Sequence, residues 1–317
     1  MMALAYVFPG QGSQAVGMLA DLADAHPIVK ESFAEASAEL GYDLWLVSQQ
    51  GPAEKLNQTQ VTQPALLAAG VSVYRLWQQL GGQQASMMAG HSLGEYTALV
   101  CAGVIDFAAA VKLVEYRGQA MQEAVPKGAG AMAAILGLDD EQVIQACGQA
   151  AGDEVVSAVN FNSPGQVVIA GQVAAVERAI DIAKQMGARK AIPLPVSVPS
   201  HCALMQGAAD KLAVRLEELE FKPATMPVVQ NVEAKVGGSA AKIRGALVRQ
   251  LYLPVRWVEC VQYMASHGVD SLLECGPGKV LAGLNRRIDR GMGMYPVYDS
   301  GSLQAALEKT ATGNGNE

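Results

Sequence analysis

The strongest chemical signal in the chain is a serine between two glycines, in Gly90-His91-Ser92-Leu93-Gly94. The segment matches the Gly-x-Ser-x-Gly pattern, and it lies between a predicted short strand at 87–89 and a predicted helix at 95–102. In that context the pattern places a serine hydroxyl on an exposed turn. The N–H groups after the serine open a helix, where they stabilise negative charge. We therefore predict that Ser92 is a nucleophile; the alternative is an ordinary glycine-rich turn with a capping serine.

A serine needs a base at neutral pH, and histidine is the most common one. His91 is next to the serine on the turn and is expected to point elsewhere, whereas His26 lies in a polar helical stretch. His267 stands at a predicted helix end, where it is a charge partner for the helix C-terminus. His201 follows a stiff, proline-containing extended segment, and elimination favours it as the base.

No acidic residue completes a triad, because the candidates occupy helix starts or a helix interior: Asp106, Asp139, Asp140 and Asp181. A backbone carbonyl can orient an imidazole instead, and such carbonyls are free at helix C-termini. The helix dipole also favours imidazolium there. The end of the predicted helix 239–252, around Gln250, is a candidate for this carbonyl.

One arginine lies on the apolar face of the helix predicted after Asp106. At 100° per residue, Arg117 falls between Leu113 and Met121, inside the apolar arc. A buried guanidinium needs an anion or hydrogen-bond acceptors. Two interpretations stay open: a structural ion pair or a side chain that reaches the rim, and a clamp on a substrate carboxylate beside the serine.

A glycine-rich loop follows the first predicted strand, Ala3–Phe8. Its sequence, Gly10-Gln11-Gly12-Ser13-Gln14-Ala15, formally fits a dinucleotide-binding pattern. Pro9 stiffens the turn, and no acidic residue closes a second strand about 20 residues further on. If Ser92 is a nucleophile that attacks an acyl group, the loop has a different use, since its N–H groups would supply a second donor to an oxyanion.

Strand-like and helical segments alternate along the chain, which predicts an α/β fold. The middle segment has the order β-α-β-β-α-β, which is typical of a ferredoxin-like unit. We predict a large α/β catalytic domain from residues 1–127 and 198–317, and a ferredoxin-like insert from residues 128–197. A cleft between two such bodies is a common place for a ligand.

Composition excludes several classes of protein. With 23 Lys and Arg against 30 Asp and Glu, the net charge is −7, which argues against a nucleic-acid binder. Five widely spaced cysteines without a Cys-x-x-Cys pair argue against a disulfide framework or a zinc site. The chain starts without a basic leader and has no membrane-spanning run, so a cytoplasmic protein is expected.

Motifs along nearly the whole chain, up to about Arg287, resemble the bacterial malonyl-CoA:acyl carrier protein transacylases, which are stand-alone acyltransferases of type II fatty acid synthesis. Besides the serine motif with Glu95 and the loop Phe8-Pro9-Gly10-Gln11-Gly12-Ser13-Gln14, the resemblance rests on further segments spread along the chain. These are Thr62-Gln63-Pro64-Ala65, Arg117-Gly118, Asn160-Phe161-Asn162-Ser163-Pro164-Gly165-Gln166, Pro199-Ser200-His201, Gln250-Leu251 and Glu274-Cys275-Gly276-Pro277-Gly278.

The resemblance implies a hydrolase-like α/β core with a ferredoxin-like insert, and ping-pong transfer of a malonyl group from coenzyme A to the phosphopantetheine thiol of acyl carrier protein. Ser92 would carry the malonyl ester, and His201 would act as base and then as acid. The Gln250 carbonyl would orient His201, and the N–H groups of Gln11 and Leu93 would form an oxyanion hole. Arg117 would bind the malonyl carboxylate. Gln63 and Met121 would contact the substrate. No cofactor and no metal are implied, because the coenzyme A thioester is itself the substrate, and a monomer is expected.

Three other functions compete with this one. A discrete polyketide-synthase acyltransferase would carry identical motifs, a serine thioesterase would use water in place of the thiol, and a carrier-protein docking module would lack catalysis. The family's acyl carrier partner is acidic, so docking on this acidic chain needs a local basic patch. Two candidate patches are Lys184, Arg189 and Lys190, and Arg286, Arg287 and Arg290; the alternative for each is a solvated face.

Overall fold

The computed structural model describes residues 2–196 and 198–311. The predicted domain boundary at Ser197, and the chain ends at Met1 and 312–317, lie outside the described residues. The described part is a mixed α/β structure with two sheets, as the alternation of segments predicts. No helix in it is both long enough and apolar enough to cross a membrane.

The strands and helices of the described residues are numbered here in chain order. The strands are β1 Leu4–Phe8, β2 Met87–Gly90, β3 Gly130–Leu136, β4 Val156–Ser163, β5 Gln166–Gln172, β6 Lys190–Pro193, β7 Val228–Gln230, β8 Lys235–Val236, β9 Ser271–Cys275 and β10 Gly293–Val297. The helices are α1 Ala20–Ala25, α2 Pro27–Leu40, α3 Leu44–Gln50, α4 Ala53–Leu56, α5 Thr59–Gln79, α6 Leu93–Cys101, α7 Phe107–Glu123, α8 Asp140–Ala151, α9 Val173–Gln185, α10 Gln206–Glu217, α11 Ala240–Gln250, α12 Trp257–Ser266, α13 Val280–Ile288 and α14 Ser300–Ala311, with a 3-10 turn at Ala203–Met205.

The larger sheet has the strand order β10-β9-β1-β2-β7-β8. Its strands run parallel except for β8, which is antiparallel to β7. Strand β1 is buried along its whole length, as expected for a parallel strand covered on both faces. The register pairs Phe8 with Gly90, so the loops after β1 and β2 leave the sheet side by side. Ligand sites in such sheets lie at the carboxyl ends of the strands.

The smaller sheet is built by the segment β3-α8-β4-β5-α9-β6 and is antiparallel, with the order β4-β5-β3-β6. Helix α8 begins at an N-cap, Asp139, which forms a capping box with Gln142. Backbone hydrogen bonds tie β4 to the larger body: Phe161 N donates to Val255 O at 3.0 Å, and Val255 N donates to Val159 O at 2.9 Å. The small sheet is thereby held against the segment that follows α11.

The apolar segment 65–80 predicts a buried helix. In the structure this helix, α5, begins six residues earlier, at Thr59, and it contains Pro64. Proline disfavours a helix interior, but this stretch is buried and packing decides the conformation. Gly118 of α7 lies against it: a Cβ at Gly118 would be 2.6 Å from Gln60 Cα. This close approach brings the start of α5 beside α7, where Gln63 and Arg117 meet.

The sequence patterns did not predict β10 and α14. Strand β10 contains Pro296 and lies at the edge of the larger sheet, where a missing N–H is tolerated. Its period-2 pattern is weak, so edge pairing with β9 rather than local propensity sets its conformation.

Candidate active site

Ser92 stands on the sharp turn between β2 and α6, with φ 51° and ψ −107°. This left-handed backbone conformation is strained for a serine, and strain of this kind concentrates at functional sites. The flanking glycines are required for packing: a Cβ at Gly90 would lie 1.9 Å from the Gly94 carbonyl carbon, and one at Gly94 would lie 2.1 Å from Phe8 O. The absence of side chains at the two glycines thus lets α6 and the end of β1 approach the turn. The strained backbone conformation is that of Ser92 itself.

His201 meets Ser92 across the site, with its Nε2 2.8 Å from the serine Oγ. Its Nδ1 is 2.6 Å from the backbone carbonyl of Gln250 at the C-terminus of α11. Since a carbonyl only accepts, Nδ1 carries the proton and Nε2 is left to accept from the serine hydroxyl. A further bond, from His201 N to Leu251 O at 2.9 Å, anchors the backbone.

The protonation of His201 is controlled by its surroundings. Burial, together with the nearby positive charge of Arg117, lowers the pKa of the His201 imidazole to about 3. The ring is therefore neutral at pH 7 and is able to accept a proton.

The residues set aside by elimination lie where the sequence places them. His91 turns its Nε2 to Asn162 Oδ1 at 2.8 Å, and His267 directs Nδ1 to Tyr263 O at 2.8 Å. Asp106 caps α7 by accepting from Ala109 N at 3.2 Å. None of these three side chains bonds to Ser92 or His201.

The residues predicted for the oxyanion hole border the same space as the serine. Gln11 lies in the loop after β1, and Leu93 is the first residue of α6. The N–H of a first helical residue has no acceptor within its own helix. The loop can come this close because Gly10 has no side chain: a Cβ there would be 2.4 Å from His91 O.

Arg117 is buried on α7, with 1% of its surface exposed, as the helical spacing predicts. Its Nη1 donates to Gln63 Oε1 at 2.8 Å and its Nη2 donates to Gln250 Oε1 at 3.0 Å. The guanidinium carbon lies 5.1 Å from the centre of the Tyr96 ring. Within residues 2–196 and 198–311 it has no ion pair, and its Nε has no acceptor. The structural ion pair considered above is therefore absent from the described part, and the charge is held by neutral groups.

Two side chains beneath the site were not predicted from sequence patterns. Asn231 accepts from Ser92 N at 2.7 Å and donates to Gly90 O at 2.7 Å, so it holds the turn from below. Glu95 accepts from the Asn231 N–H at 3.0 Å. The spacing of Glu95, three residues after the serine on a helix, was a possible signal; no local pattern marked Asn231.

Ser92, His201 and Arg117 face a cleft of about 790 Å³ between the two sheets. The larger body contributes Ser92, His201 and Arg117, with Met121 on the same wall, and the smaller sheet contributes Asn160 and Met132 among others. Gln63 and Gln250 hold the guanidinium from behind. Across the described residues, no group of three or more His, Cys, Asp or Glu side chains is arranged to hold a metal ion.

Comparison with known proteins identifies the family of this chain. The acyl transferase domain model matches residues 5–287. The malonyl CoA-acyl carrier protein transacylase of Escherichia coli K12 is 63% identical over 308 residues, covering 97% of this chain and 100% of that protein. The Bacillus subtilis protein of the same name is 42% identical over 317 residues and covers 100% of both chains.

Solved structures show the same likeness. An acyl carrier protein S-malonyltransferase from Vibrio cholerae superposes with a TM-score of 0.93 at 62% identity, covering 95% of this chain and 99% of that one. A malonyl-transacylase solved in complex with its type II PKS acyl-carrier protein gives a TM-score of 0.96 at 61% identity, covering 97% and 99%. The chain therefore belongs to the acyl transferase family, among the malonyl CoA-acyl carrier protein transacylases.

Proposed function

We propose that this protein transfers a malonyl group from malonyl-CoA to the phosphopantetheine thiol of acyl carrier protein, through an ester on Ser92, and thereby supplies fatty acid synthesis. One observation carries the proposal: Ser92 and His201, which is held by the Gln250 carbonyl, border one cleft together with Arg117, a buried arginine that has no ion pair among the described residues. The names of the relatives support it. The active unit is the monomer, since one chain supplies every group.

The proposal assigns different roles to two parts of the chain. Residues 1–127 and 198–317 form a hydrolase-like α/β core that carries the nucleophile, and residues 128–197 form a ferredoxin-like insert. The parallel order of β9-β1-β2-β7 and the β4-β5-β3-β6 order of the smaller sheet support these assignments. The acyl chain and the pantetheine arm would bind in the cleft between them.

In the first half-reaction, Ser92 Oγ attacks the thioester carbonyl while its proton passes to His201 Nε2. The Gln250 carbonyl stabilises the imidazolium through Nδ1–H. The N–H groups of Gln11 and Leu93 bind the negative oxygen of the tetrahedral intermediate. When that intermediate collapses, the C–S bond breaks and the coenzyme A sulfur takes the proton back from Nε2.

The second half-reaction reverses these roles. The thiol of the carrier protein gives its proton to His201 Nε2 and attacks the Ser92 ester, and the serine oxygen then leaves with that proton. Both half-reactions use only side chains, backbone groups and the two thiols, so the proposal requires no cofactor. Arg117 selects the acyl group, because its positive charge, which has no ion-pair partner in the described part of the chain, matches the malonyl carboxylate.

The pH profile of Ser92 acylation will have its acid limb well below pH 6.5. With the His201 pKa lowered to about 3, the base stays neutral as the pH falls from 7. The same shift works against folding in acid: between the folded and unfolded pKa values only the unfolded state binds the proton, so stability decreases as pH falls below about 6.5.

Single-turnover acylation by acetyl-CoA across this range, with circular dichroism to verify folding, measures the limb. Arg117→Ala removes one cause of the lowered pKa, so its acid limb is expected at higher pH than that of the native protein. An acid limb at pH 6 to 7 in the native protein, about where an unperturbed histidine titrates, would contradict this account.

The proposed carrier protein needs a basic docking surface at the mouth of the cleft. Arg287 Nη1 donates to Gln166 Oε1 at 2.8 Å, and Gln166 borders the cleft, as do Val280 and Leu284 on the same helix as Arg287. Lys184, by contrast, pairs with Asp181 at 3.3 Å on α9, away from the cleft wall. The Arg286, Arg287 and Arg290 patch is therefore our choice for docking.

Charge reversal at Arg286 and Arg290 is expected to slow malonyl transfer to carrier protein by about tenfold or more at low salt, mainly through the association rate. Reversal at Lys184 and Lys190 is the matched control, with a rate near that of the native protein. Stopped-flow transfer from the preformed malonyl-enzyme measures both. If the two reversals slow malonyl transfer to the same extent, the patch of Arg286, Arg287 and Arg290 is not the docking surface.

The function itself is tested by incubating the pure protein with malonyl-CoA, and separately with acetyl-CoA, followed by intact mass and peptide mapping. A strong malonyl adduct on Ser92, with only a faint adduct from acetyl-CoA after the same time, is the expected result. Malonyl-CoA left intact without an adduct would favour a docking module, and its consumption without an adduct or acceptor thiol would favour a thioesterase. Transfer from the adduct to fatty-acid and polyketide carrier proteins then identifies the acceptor.

A further inference from the structure

A buried carboxylate lies beneath the nucleophile and has no step in the proposed reaction. Glu95 is in the first turn of α6 and is 1% exposed. Its Oε2 accepts from Gln250 Nε2 at 2.7 Å and from the Asn231 N–H at 3.0 Å. Its Oε1 is buried without a hydrogen-bond partner in the described part of the chain. Burying a carboxylate is costly. Its presence here indicates that Glu95 orients neighbouring groups.

The side-chain amide of Gln250 is the group that Glu95 orients. Gln250 Nε2 faces three oxygens: Glu95 Oε2, Ser92 O at 3.0 Å and Asn231 Oδ1 at 3.3 Å. Its Oε1 then faces the Arg117 Nη2 at 3.0 Å. A rotated amide would set oxygen against these oxygens and N–H against the guanidinium. The shortest of the three Nε2 contacts is the one to Glu95.

The same carboxylate oxygen also supports the serine turn. By accepting the Asn231 N–H it fixes the backbone of a residue whose side chain bonds to both Ser92 N and Gly90 O. Glu95 therefore supports the position of Ser92 through Asn231, and it supports the position of the Arg117 guanidinium through Gln250. It is not among the residues that border the cleft.

A single acceptor oxygen of Glu95, Oε2, makes both of these bonds. Burial raises the pKa of the Glu95 carboxyl to about 7, although the hydrogen bonds from Asn231 and Gln250 and the charge of Arg117 oppose this. A neutral side chain with one oxygen in the same place is expected to keep both contacts.

We propose that Glu95 is a positioning residue for acyl selection: it orients the Gln250 amide so that Gln250 Oε1 holds the Arg117 guanidinium toward the malonyl carboxylate. This inference rests on the proposed function, because it concerns how the site distinguishes malonyl from acetyl. The geometry assigns Glu95 no contact with substrate.

The test compares two substitutions of similar volume, Glu95→Met, which removes the strong acceptor, and Glu95→Gln, which keeps one. The measurement is the ratio of Ser92 acylation rates with malonyl-CoA and acetyl-CoA in the full chain. Glu95→Met is expected to lower this ratio by about tenfold, the effect of losing one hydrogen bond in the chain that holds a charged group. Glu95→Gln is expected to retain most of it.

Glu274 offers a matched control. It is also 1% exposed, and its oxygens accept from two backbone N–H groups, Leu281 at 2.9 Å and Ala282 at 2.8 Å. Glu274→Met is expected to lower the thermal midpoint while leaving the malonyl-to-acetyl ratio near the native value. A merely structural role for Glu95 predicts that Glu95→Met behaves in the same way.

An unchanged ratio in folded Glu95→Met would overturn the inference while the proposed function stands, and so would a ratio lost in folded Glu95→Gln. If Glu95→Met does not fold, Glu95→Gln still decides: a retained malonyl-to-acetyl ratio supports the inference, and a lost ratio overturns it. Failure of the native protein to form a malonyl ester is a separate result, because it removes the proposed function before any variant is compared.

Discussion

Replacing Ser92 by alanine will abolish the covalent malonyl adduct and all transfer to carrier protein through it. The reason is direct: in the proposed reaction the ester is made on Ser92 Oγ, which lies 2.8 Å from His201 Nε2 and on a turn with a strained φ of 51°. Residual binding of malonyl-CoA is expected to survive, since Arg117 and the cleft walls are unaltered. Intact mass after incubation with malonyl-CoA, and transfer of radiolabel to carrier protein, measure the two losses.

Ser200 provides the matched control for this experiment. It also borders the cleft, one residue before the base, and its hydroxyl lies 3.5 Å from the Val198 carbonyl. Ser200→Ala is expected to form the malonyl adduct on the same peptide as the native protein. A full adduct in Ser92→Ala, mapped to any other residue, would show that the strained turn serves another purpose.

Replacing Arg117 by alanine will convert a malonyl-selective enzyme into a weak and unselective one. Breaking a desolvated ion pair costs about 3–5 kcal/mol, which is hundreds-fold or more in malonyl acylation. Acetyl acylation will suffer far less, because acetyl carries no charge for the guanidinium to bind. Rates of Ser92 acylation with malonyl-CoA and acetyl-CoA, measured in parallel, check both parts.

The surroundings of Arg117 are the reason to expect an effect of this size. Its side chain is 1% exposed and is held by two amide oxygens, from Gln63 and Gln250, with no carboxylate in ion-pair distance among the described residues. Burial lowers its pKa, yet an arginine remains charged at neutral pH. Arg117→Lys keeps the charge but loses the planar, two-pronged donor, so an intermediate malonyl preference is expected. An unchanged preference in Arg117→Ala would refute the clamp.

The predicted alternation of strands and helices matches the structure wherever the pattern was local and strong. Strands β1 and β2, which precede two loops of the site, follow from periodicity and turn residues. The β-α-β-β-α-β order of the middle segment follows from the same patterns. The early start of α5 at Thr59 did not follow, because burial against α7 overrides the proline at position 64. The edge strand β10 was missed for a similar reason, since its partner β9 supplies what its own pattern lacks.

By itself, the sequence determined the candidate nucleophile, the apolar position of Arg117 and the family. A strand-turn-helix motif and a 3.6-residue spacing are properties of neighbouring residues, so they are legible along the chain. The tertiary structure alone decided which oxygens surround the arginine, that Asn231 and Glu95 hold the turn, and that His201 reaches Ser92 from 109 residues away. The Gln250 side chain touches Ser92 O across 158 residues of sequence. Such contacts depend on how whole sheets and helices pack, and no local pattern encodes that distance.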